Sequence, residues 1–300
     1  MGNAKLVASA LAVLMLGVLI PASCAINHSD TEKGPITIGD VDDASRETYD
    51  GLIDQEGNTV ETRIIVPKGF ERVAVEEGSF GEYLRNLPLK PHGSKVLYFD
   101  GRVKHNDVYE AVVDMDVGDR DLQQCADAVM RLRAEYLYKR QRYDEIHFNF
   151  TNGFRADYSK WMQGNRIAIN GNSTSWVQRA ERSNTYSDFR SYLNIVFAYA
   201  GTLSLEKELK PIEPEQLMIG DVIIQGGSPG HAVIVVDMAE DKDTGKRVFM
   251  LAQSYMPAQE IHILKNPVNK EISPWYELDF ADKLYTPEWT FTRDSFRRFP

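Results

Sequence analysis

Residues 220–239 read GDVIIQGGSPGHAVIVVDMA, and this stretch decides the fold class. Two apolar runs, 222–225 and 231–239, flank a loop of glycine, serine and proline, which predicts two adjacent strands. A further apolar run at 248–255 follows a turn at Asp243-Thr244-Gly245, so 231–239 and 248–255 are expected to form a hairpin. The last third of the chain is therefore predicted to form an antiparallel sheet.

Upstream of these strands the apolar pattern is helical. Residues 119–140 predict the clearest helix, with Asp119 or Asp121 capping its start. Its apolar positions are Leu122, Cys125, Ala126, Val129, Leu132 and Tyr136. Residues 187–200 predict a second helix. Shorter segments predict a helix at 79–87 and strands at 62–67, 95–100, 108–115 and 146–150. Together these elements indicate an α+β domain.

Composition excludes several classes of function. The chain has 300 residues, 43% of them hydrophobic, and a formal net charge of -10. That charge argues against binding to nucleic acid or to an anionic membrane surface, since both need clustered lysine and arginine. Phosphate loops and zinc-type spacings are absent, and no cofactor or metal is expected. Alternating aspartates at 114–121 resemble a calcium loop, but the bidentate glutamate is missing, which favours helix caps and turns.

The N-terminus predicts export. Residues 6–20 form an unbroken apolar and small run after a short basic start, which is the layout of a signal peptide. Pro21-Ala22-Ser23-Cys24 resembles a lipobox, so residues 1–24 are interpreted as a signal peptide whose Cys24 is diacylated and becomes the new N-terminus. Ordinary cleavage near Ala22 or Ala25 is the alternative. This indicates a periplasmic or outer-membrane lipoprotein of a bacterium that meets the membrane only through its lipid.

The remaining chain is divided into a tether and one domain. Residues 25–60 are polar and are interpreted as a tether. Residues 61–300 are interpreted as a single α+β domain with an insert around 150–176. The domain then contains one cysteine, Cys125, which has no intramolecular disulfide partner and is a candidate reactive thiol.

Three residues are candidates for catalysis. Cys125 falls in the first two turns of its helix, where free backbone N–H groups favour a thiolate; the alternative is a buried, inert cysteine. His231 follows a loop with few side chains and begins a buried strand, which suits a general base, although a core histidine is the alternative. Gln253 interrupts an apolar strand and is expected on the same face as His231, where it could orient the imidazole or bond to backbone.

The order of these residues resembles that of NlpC-type and CHAP-type cysteine hydrolases. The resemblance covers roughly 119–256 and rests on Gly220-Asp221, the Pro229-Gly230-His231 strand, the preceding helices and Gln253. It implies a papain-like fold in which a nucleophile-bearing helix packs on an antiparallel sheet. The Asp-Cys-Ser-Gly of those families is replaced by Gln123-Gln124-Cys125-Ala126. The whole chain also resembles an uncharacterised family of secreted bacterial proteins, the domain-of-unknown-function family 4846.

The resemblance implies a cysteine amidohydrolase or peptidase acting on peptidoglycan peptides or a related amide. Cys125 would be the nucleophile, His231 the base and Gln253 the orienting residue. Gln124 would assist in the oxyanion hole, and Trp161 and Trp176 would form a cleft wall, unless they are core residues. The alternative function is a non-catalytic envelope lipoprotein that uses the same fold to bind or scaffold a ligand.

Overall fold

The structure is a computed structural model that describes residues 49–300. The predicted signal peptide, the lipid attachment at Cys24 and most of the predicted tether lie outside the described residues. Within 49–300, no helix is long and apolar enough to cross a membrane.

The described chain alternates short helices and strands. The helices are α1 (Val60–Arg63), α2 (Phe80–Arg85), α3 (Cys125–Lys139), α4 (Tyr158–Met162), α5 (Tyr186–Tyr199) and α6 (Thr202–Glu208), with 3-10 turns at Tyr49–Leu52, Tyr143–Glu145, Pro214–Gln216 and Arg293–Ser295. The strands are β1 (Phe70–Arg72), β2 (Tyr109–Val112), β3 (His147–Asn149), β4 (Arg155–Asp157), β5 (Asn165–Asn170), β6 (Ser173–Gln178), β7 (Lys210–Pro211), β8 (Val222–Gln225), β9 (His231–Asp241), β10 (Arg247–Gln253), β11 (His262–Leu264), β12 (Tyr276–Glu277), β13 (Lys283–Tyr285), β14 (Thr290–Thr292) and β15 (Phe296–Arg298).

A large antiparallel sheet organises the domain. Its strands follow the order β2-β11-β10-β9-β8-β15-β7, while β1 also pairs with β9 and β12 with β10. The pairs β3–β4, β5–β6 and β13–β14 form separate two-stranded sheets. The hairpin predicted for 231–239 and 248–255 is present as β9 and β10. The chain is therefore a mixed α/β protein with a large antiparallel sheet.

Both faces of the sheet are covered. Along β9, Ala232, Ile234 and Val236 belong to the larger core, which also contains the buried residues of α3. Val233 and Val235 point the other way, into a smaller core that includes Phe291. Successive side chains of a strand point to opposite faces of the sheet. Because both faces of β9 are buried, its sequence is apolar at nearly every position. Burying each valine or isoleucine of β9 contributes about 1.5–3 kcal/mol.

Several predicted elements differ from the structure. Residues 62–67 do not form a strand; Thr59 caps the short helix α1 by accepting a hydrogen bond from the Thr62 N–H at 3.2 Å. Residues 95–100 make only isolated bridges, such as that between Leu97 and Val103. The end of the predicted tether is part of the domain, because Val60 is fully buried and Leu52 and Ile53 pack against the larger core.

Helix α3 starts later than its apolar pattern indicates. Gln124 is its N-cap and Cys125 its first residue, so neither Asp119 nor Asp121 caps it. Asp121 instead accepts a hydrogen bond from the Ala258 N–H at 2.7 Å. Inside the first turn, Asp127 accepts from the Gln124 N–H at 3.0 Å. The later start places Cys125 at the helix N-terminus and against the end of the central sheet.

Candidate functional site

His231 and Gln253 form a hydrogen-bonded pair at the end of the central sheet. His231 opens β9 and Gln253 closes β10, and beyond a bulge at Met250 and Leu251 the register places Ala252 opposite Ile234. Gln253 is then two residues along the hairpin from the position opposite His231, which makes the two side chains diagonal neighbours on one face. Their Nε2 and Oε1 atoms lie 2.8 Å apart. The expectation that Gln253 faces the imidazole agrees with this geometry.

Aromatic side chains enclose the His231 imidazole. Its ring centroid lies 4.8 Å from that of Tyr255, 5.3 Å from Trp289 and 5.9 Å from Phe291. The residue is only 1% exposed. Burial lowers the pKa of His231 to about 4, although the bond to Gln253 acts in the opposite direction. The imidazole is therefore neutral at neutral pH. The Trp289 Nε1–H is buried without a partner within the described chain, so it can donate to a ligand.

Cys125 sits at the N-terminus of α3 and is 9% exposed. Backbone N–H groups of Ala126, Ala232 and Cys125 itself interact with the sulfur and favour its thiolate form. Burial outweighs them, and the charge of nearby Asp127 adds to it, so the pKa of Cys125 is raised to about 11. The thiolate expected from the helix position is therefore wrong for this state, in which the thiol is neutral.

The structure brings Cys125 and His231 near each other without joining them. Ala232, the residue after His231, directs its N–H at the sulfur, and Tyr255 contacts the imidazole and interacts electrostatically with Cys125. Within residues 49–300 no hydrogen bond links the thiol to the imidazole. The reason is geometric: α3 packs on the face of β9 that carries Ala232, whereas His231 lies on the alternate position and contacts Phe291 of the smaller core.

A buried polar network surrounds Gln253. Its Nε2 donates to Glu288 Oε2 at 2.7 Å and lies 3.3 Å from His262 Nε2. Both oxygens of Glu288 accept from the Lys104 ammonium at 2.7 Å. Lys104 is 3% exposed and also donates to Gln259 at 2.9 Å. Lys104 and Glu288 come from distant segments, whereas Gln259 and His262 follow Gln253 in the chain, and sequence reasoning missed all four.

Three residues predicted to assist catalysis or to line the cleft make other contacts. The Gln124 side chain donates to Asp121 at 3.1 Å, so it is engaged next to the helix start and not turned to an oxyanion position. Trp161 is a buried core residue beside Tyr192. Trp176, on β6, packs against Phe154. The rings that enclose His231 belong to Tyr255, Trp289 and Phe291, and Trp161 and Trp176 are not among them.

The acidic stretch before α3 is used in structural contacts. Asp116 pairs with Arg131 at 3.0 Å and with Arg190 at 3.2 Å. Across the described part of the chain, no group of three or more His, Cys, Asp or Glu side chains could hold a metal ion. A surface cleft of about 520 Å³ is lined by Tyr143, Ser159 and Arg182 among others, beside α4. It does not include Cys125, His231 or Gln253, so it is separate from this site.

The two buried histidines predict acid-sensitive stability. Burial lowers the pKa of His231 to about 4 and that of His262 to about 3. Below the ordinary value near 6.5, the unfolded chain binds protons that the folded chain does not, so the free energy of unfolding falls with falling pH down to the folded values. Each histidine contributes a slope of about 1.4 kcal/mol per pH unit. Urea unfolding between about pH 7 and about pH 4.5 measures it.

The control for this prediction is the double variant His231→Asn/His262→Asn. It removes both titrations, so its stability should lose that acid-side slope. Comparison with the variant is necessary because burial raises the pKa of Glu208 to about 7, which acts in the opposite direction. Equal slopes in both proteins would show that the histidines are not buried as neutral rings.

Comparison with known proteins identifies a family. Neither the curated proteins nor the solved structures contain a match to the chain. The model of a family described as domain of unknown function (4846) matches residues 60–298, which span the large sheet, α3 and every residue of the site. The chain therefore belongs to this family, the domain of unknown function 4846.

Proposed function

We propose that this domain is a papain-like cysteine hydrolase that cleaves amide bonds in peptidoglycan peptides or related compounds of the cell envelope. The observation that carries the proposal is the 2.8 Å hydrogen bond between His231 Nε2 and Gln253 Oε1, beside a cysteine at a helix N-terminus. An imidazole held at one nitrogen by a polar side chain keeps the other available as a base. The packing of α3 on β9 supports the papain-like architecture.

The chemistry follows from the resting protonation states. The imidazole and the thiol are both neutral, so His231 acts as a general base: Nδ1 takes the thiol proton as sulfur bonds to the substrate carbonyl carbon. The imidazolium then protonates the leaving amine as the C–N bond breaks, which leaves an acyl-cysteine. A water molecule, deprotonated by His231, hydrolyses the thioester and regenerates the thiol. The backbone N–H of Cys125 is the natural donor to the oxyanion.

The proposed enzyme rests in a closed state. Cys125 and His231 are nearly inaccessible, and the imidazole is packed against aromatic rings. Substrate entry requires Tyr255 and Trp289 to move apart, which admits the peptide and brings the ring within reach of the sulfur. Tyr255 leads into Met256, which is 64% exposed, so this side of the cover borders solvent.

The proposal places the protein in the bacterial envelope. The apolar run at 6–20 and the residues before Cys24 support export and lipid attachment. Peptidoglycan peptides are the amides that such a protein meets there. Metabolic labelling with a fatty acid tests the anchor, since Cys24→Ser should abolish the label and Cys125→Ser should not.

The second candidate function is a non-catalytic binding module. Two observations favour it: burial raises the pKa of Cys125 to about 11, and no hydrogen bond connects its thiol to His231 in the described structure. In that case Cys125 is a packing residue, and the unpaired Trp289 N–H would donate to a bound cell-wall ligand.

Alkylation of Cys125 separates the two functions. The full-length chain with Cys24→Ser has one thiol, and its reaction with iodoacetamide is followed against pH, with His231→Asn beside it. A thiol with a pKa near 11 and no base reacts at neutral pH roughly a hundredfold more slowly than a free thiol. The hydrolase proposal expects faster reaction than this, removed by His231→Asn. A thiol that resists until the chain unfolds supports the binding module.

A further inference from the structure

We propose that Glu288 and Lys104 are positioning residues that fix the side-chain amide of Gln253, and through it the tautomer of His231. The inference rests on the proposed function for its catalytic meaning, because it explains how one imidazole nitrogen is kept free as the base. The tautomer of His231 does not depend on catalysis and can be measured in the resting protein.

His262 supplies the first constraint on the amide. Its Nδ1 lies 2.8 Å from the backbone carbonyl oxygen of Glu260, and a carbonyl only accepts, so Nδ1 carries the proton. The ring is fully buried and its pKa is lowered to about 3 by burial, so it is neutral. Nε2 therefore has a lone pair, and it accepts from the Gln253 amide nitrogen at 3.3 Å.

Glu288 supplies the second and stronger constraint. Its Oε2 lies 2.7 Å from Gln253 Nε2, and an ionised carboxylate can only accept. The Lys104 ammonium binds both carboxylate oxygens at 2.7 Å, which balances the charge and fixes its orientation. Lys104 has a side chain only 2% exposed, against 14% for Glu288, so solvent screens this pair weakly.

Only one orientation of the Gln253 amide satisfies both partners. A flipped amide would place its oxygen against the Glu288 carboxylate and the His262 lone pair. In the observed orientation both N–H groups are used, and Oε1 faces His231 Nε2. An amide oxygen only accepts, so His231 must donate from Nε2, and its Nδ1 is left unprotonated. Glu288, two hydrogen bonds from His231, and Lys104, three hydrogen bonds away, thus set the imidazole tautomer.

The hairpin of β13 and β14 carries both the carboxylate that orients Gln253 and two of the rings that cover His231. Glu288 lies in the turn between β13 and β14, next to Trp289, while Phe291 is in β14. The rings of the latter two contact His231. Movement of this hairpin would therefore release the imidazole and its orienting amide together.

Nuclear magnetic resonance of the full chain tests the inference directly. Ring-nitrogen shifts of isotope-labelled histidine distinguish the two neutral tautomers, and the His231 signals are assigned by their loss in His231→Asn. The unmodified chain is expected to show the Nε2–H tautomer. In Glu288→Gln the new side chain can donate as well as accept, so His231 should become a mixture of tautomers. The rate of Cys125 reaction should fall in proportion to the remaining Nε2–H tautomer, which is about twofold for equal populations.

Glu135→Gln is the matched control. The Glu135 side chain is 12% exposed, close to the 14% of Glu288, and it pairs with buried Arg131. It should leave the His231 shifts unchanged. If Glu288→Gln does not fold, Lys104→Gln tests the same constraint. An Nδ1–H tautomer in the unmodified chain, or unchanged shifts in a folded Glu288 or Lys104 variant, would overturn the inference. Shifts that change as expected in a chain without hydrolase activity would support positioning while refuting the proposed function.

Discussion

Replacing Cys125 by alanine is expected to reduce kcat/KM for a peptidoglycan peptide amide by roughly a thousandfold or more. Cys125 is the free cysteine within residues 49–300, and its thiol is the nucleophile in the proposed acyl transfer. Alanine removes the sulfur while keeping the helix N-terminus and its N–H groups. The measurement is the release of new amino groups from purified peptidoglycan fragments, with thermal melting to show that the variant is folded.

Substitutions of His231 and Gln253 are expected to lower kcat/KM by different amounts. His231→Asn should lower kcat/KM by a similar factor, because the thiol then has no base. Gln253→Ala should cost less, since it affects only the orientation of a base that remains present. In the proposed mechanism the three residues act as one unit, so Cys125→Ala/His231→Asn should be no worse than either single variant. Full turnover in Cys125→Ala would exclude covalent catalysis by this residue.

The part of the site that lies within one hairpin could be predicted from the sequence. The apolar runs and the turn at 243–245 predicted a hairpin in which Gln253 is diagonal to His231. The structure reaches that pairing through a register shift between Met250 and Leu251, which the sequence did not indicate. The bond of 2.8 Å between them matches this expectation. The helix bearing Cys125 was also predicted, because its apolar spacing is unambiguous, although its start was placed about six residues too early.

The rest of the site could not be predicted because it depends on long-range contacts. Lys104 and Glu288 are 184 residues apart in the chain, and Glu288 is 35 residues from Gln253. The apolar periodicity of a sequence predicts helices and strands, but it does not predict which distant segments come into contact. The aromatic cover has the same origin, since Trp289 and Phe291 come from the C-terminal hairpin.

The ionisation state of Cys125 was also predicted incorrectly, since the thiol is neutral. Helix N-terminal N–H groups lower a thiol pKa, and this effect is present in the structure. The degree of burial decides the sign, because desolvation of a thiolate in an apolar setting is the larger effect. Burial is a property of the packed fold, so a sequence pattern that locates a cysteine at a helix start does not determine whether it is ionised.

Replacing Asp237 by alanine is expected to destabilise the fold by about 3–5 kcal/mol. Asp237 lies on β9 with 0% exposure, in an apolar run of the sequence. One carboxylate oxygen accepts from Arg72 Nε at 2.7 Å and the other from Arg85 Nε at 2.8 Å. The Arg85 side chain is only 6% exposed, and that of Arg72 is 19% exposed. Alanine would leave two nearly buried cations facing each other without an anion.

Urea unfolding of three proteins separates the loss of an anion from the loss of packing. Asp237→Ala should be far less stable than the unmodified chain. The triple variant Asp237→Leu/Arg72→Met/Arg85→Met should recover much of that stability, because it removes the uncompensated charges and fills the space with apolar groups. Asp100→Ala, which breaks an exposed pair with Arg102, should not change the unfolding midpoint measurably. If the triple variant were as unstable as Asp237→Ala, the cost would come from a hydrogen bond that both variants lose, such as that from the Met238 N–H to the Asp237 carboxylate at 2.8 Å, and not from uncompensated charge.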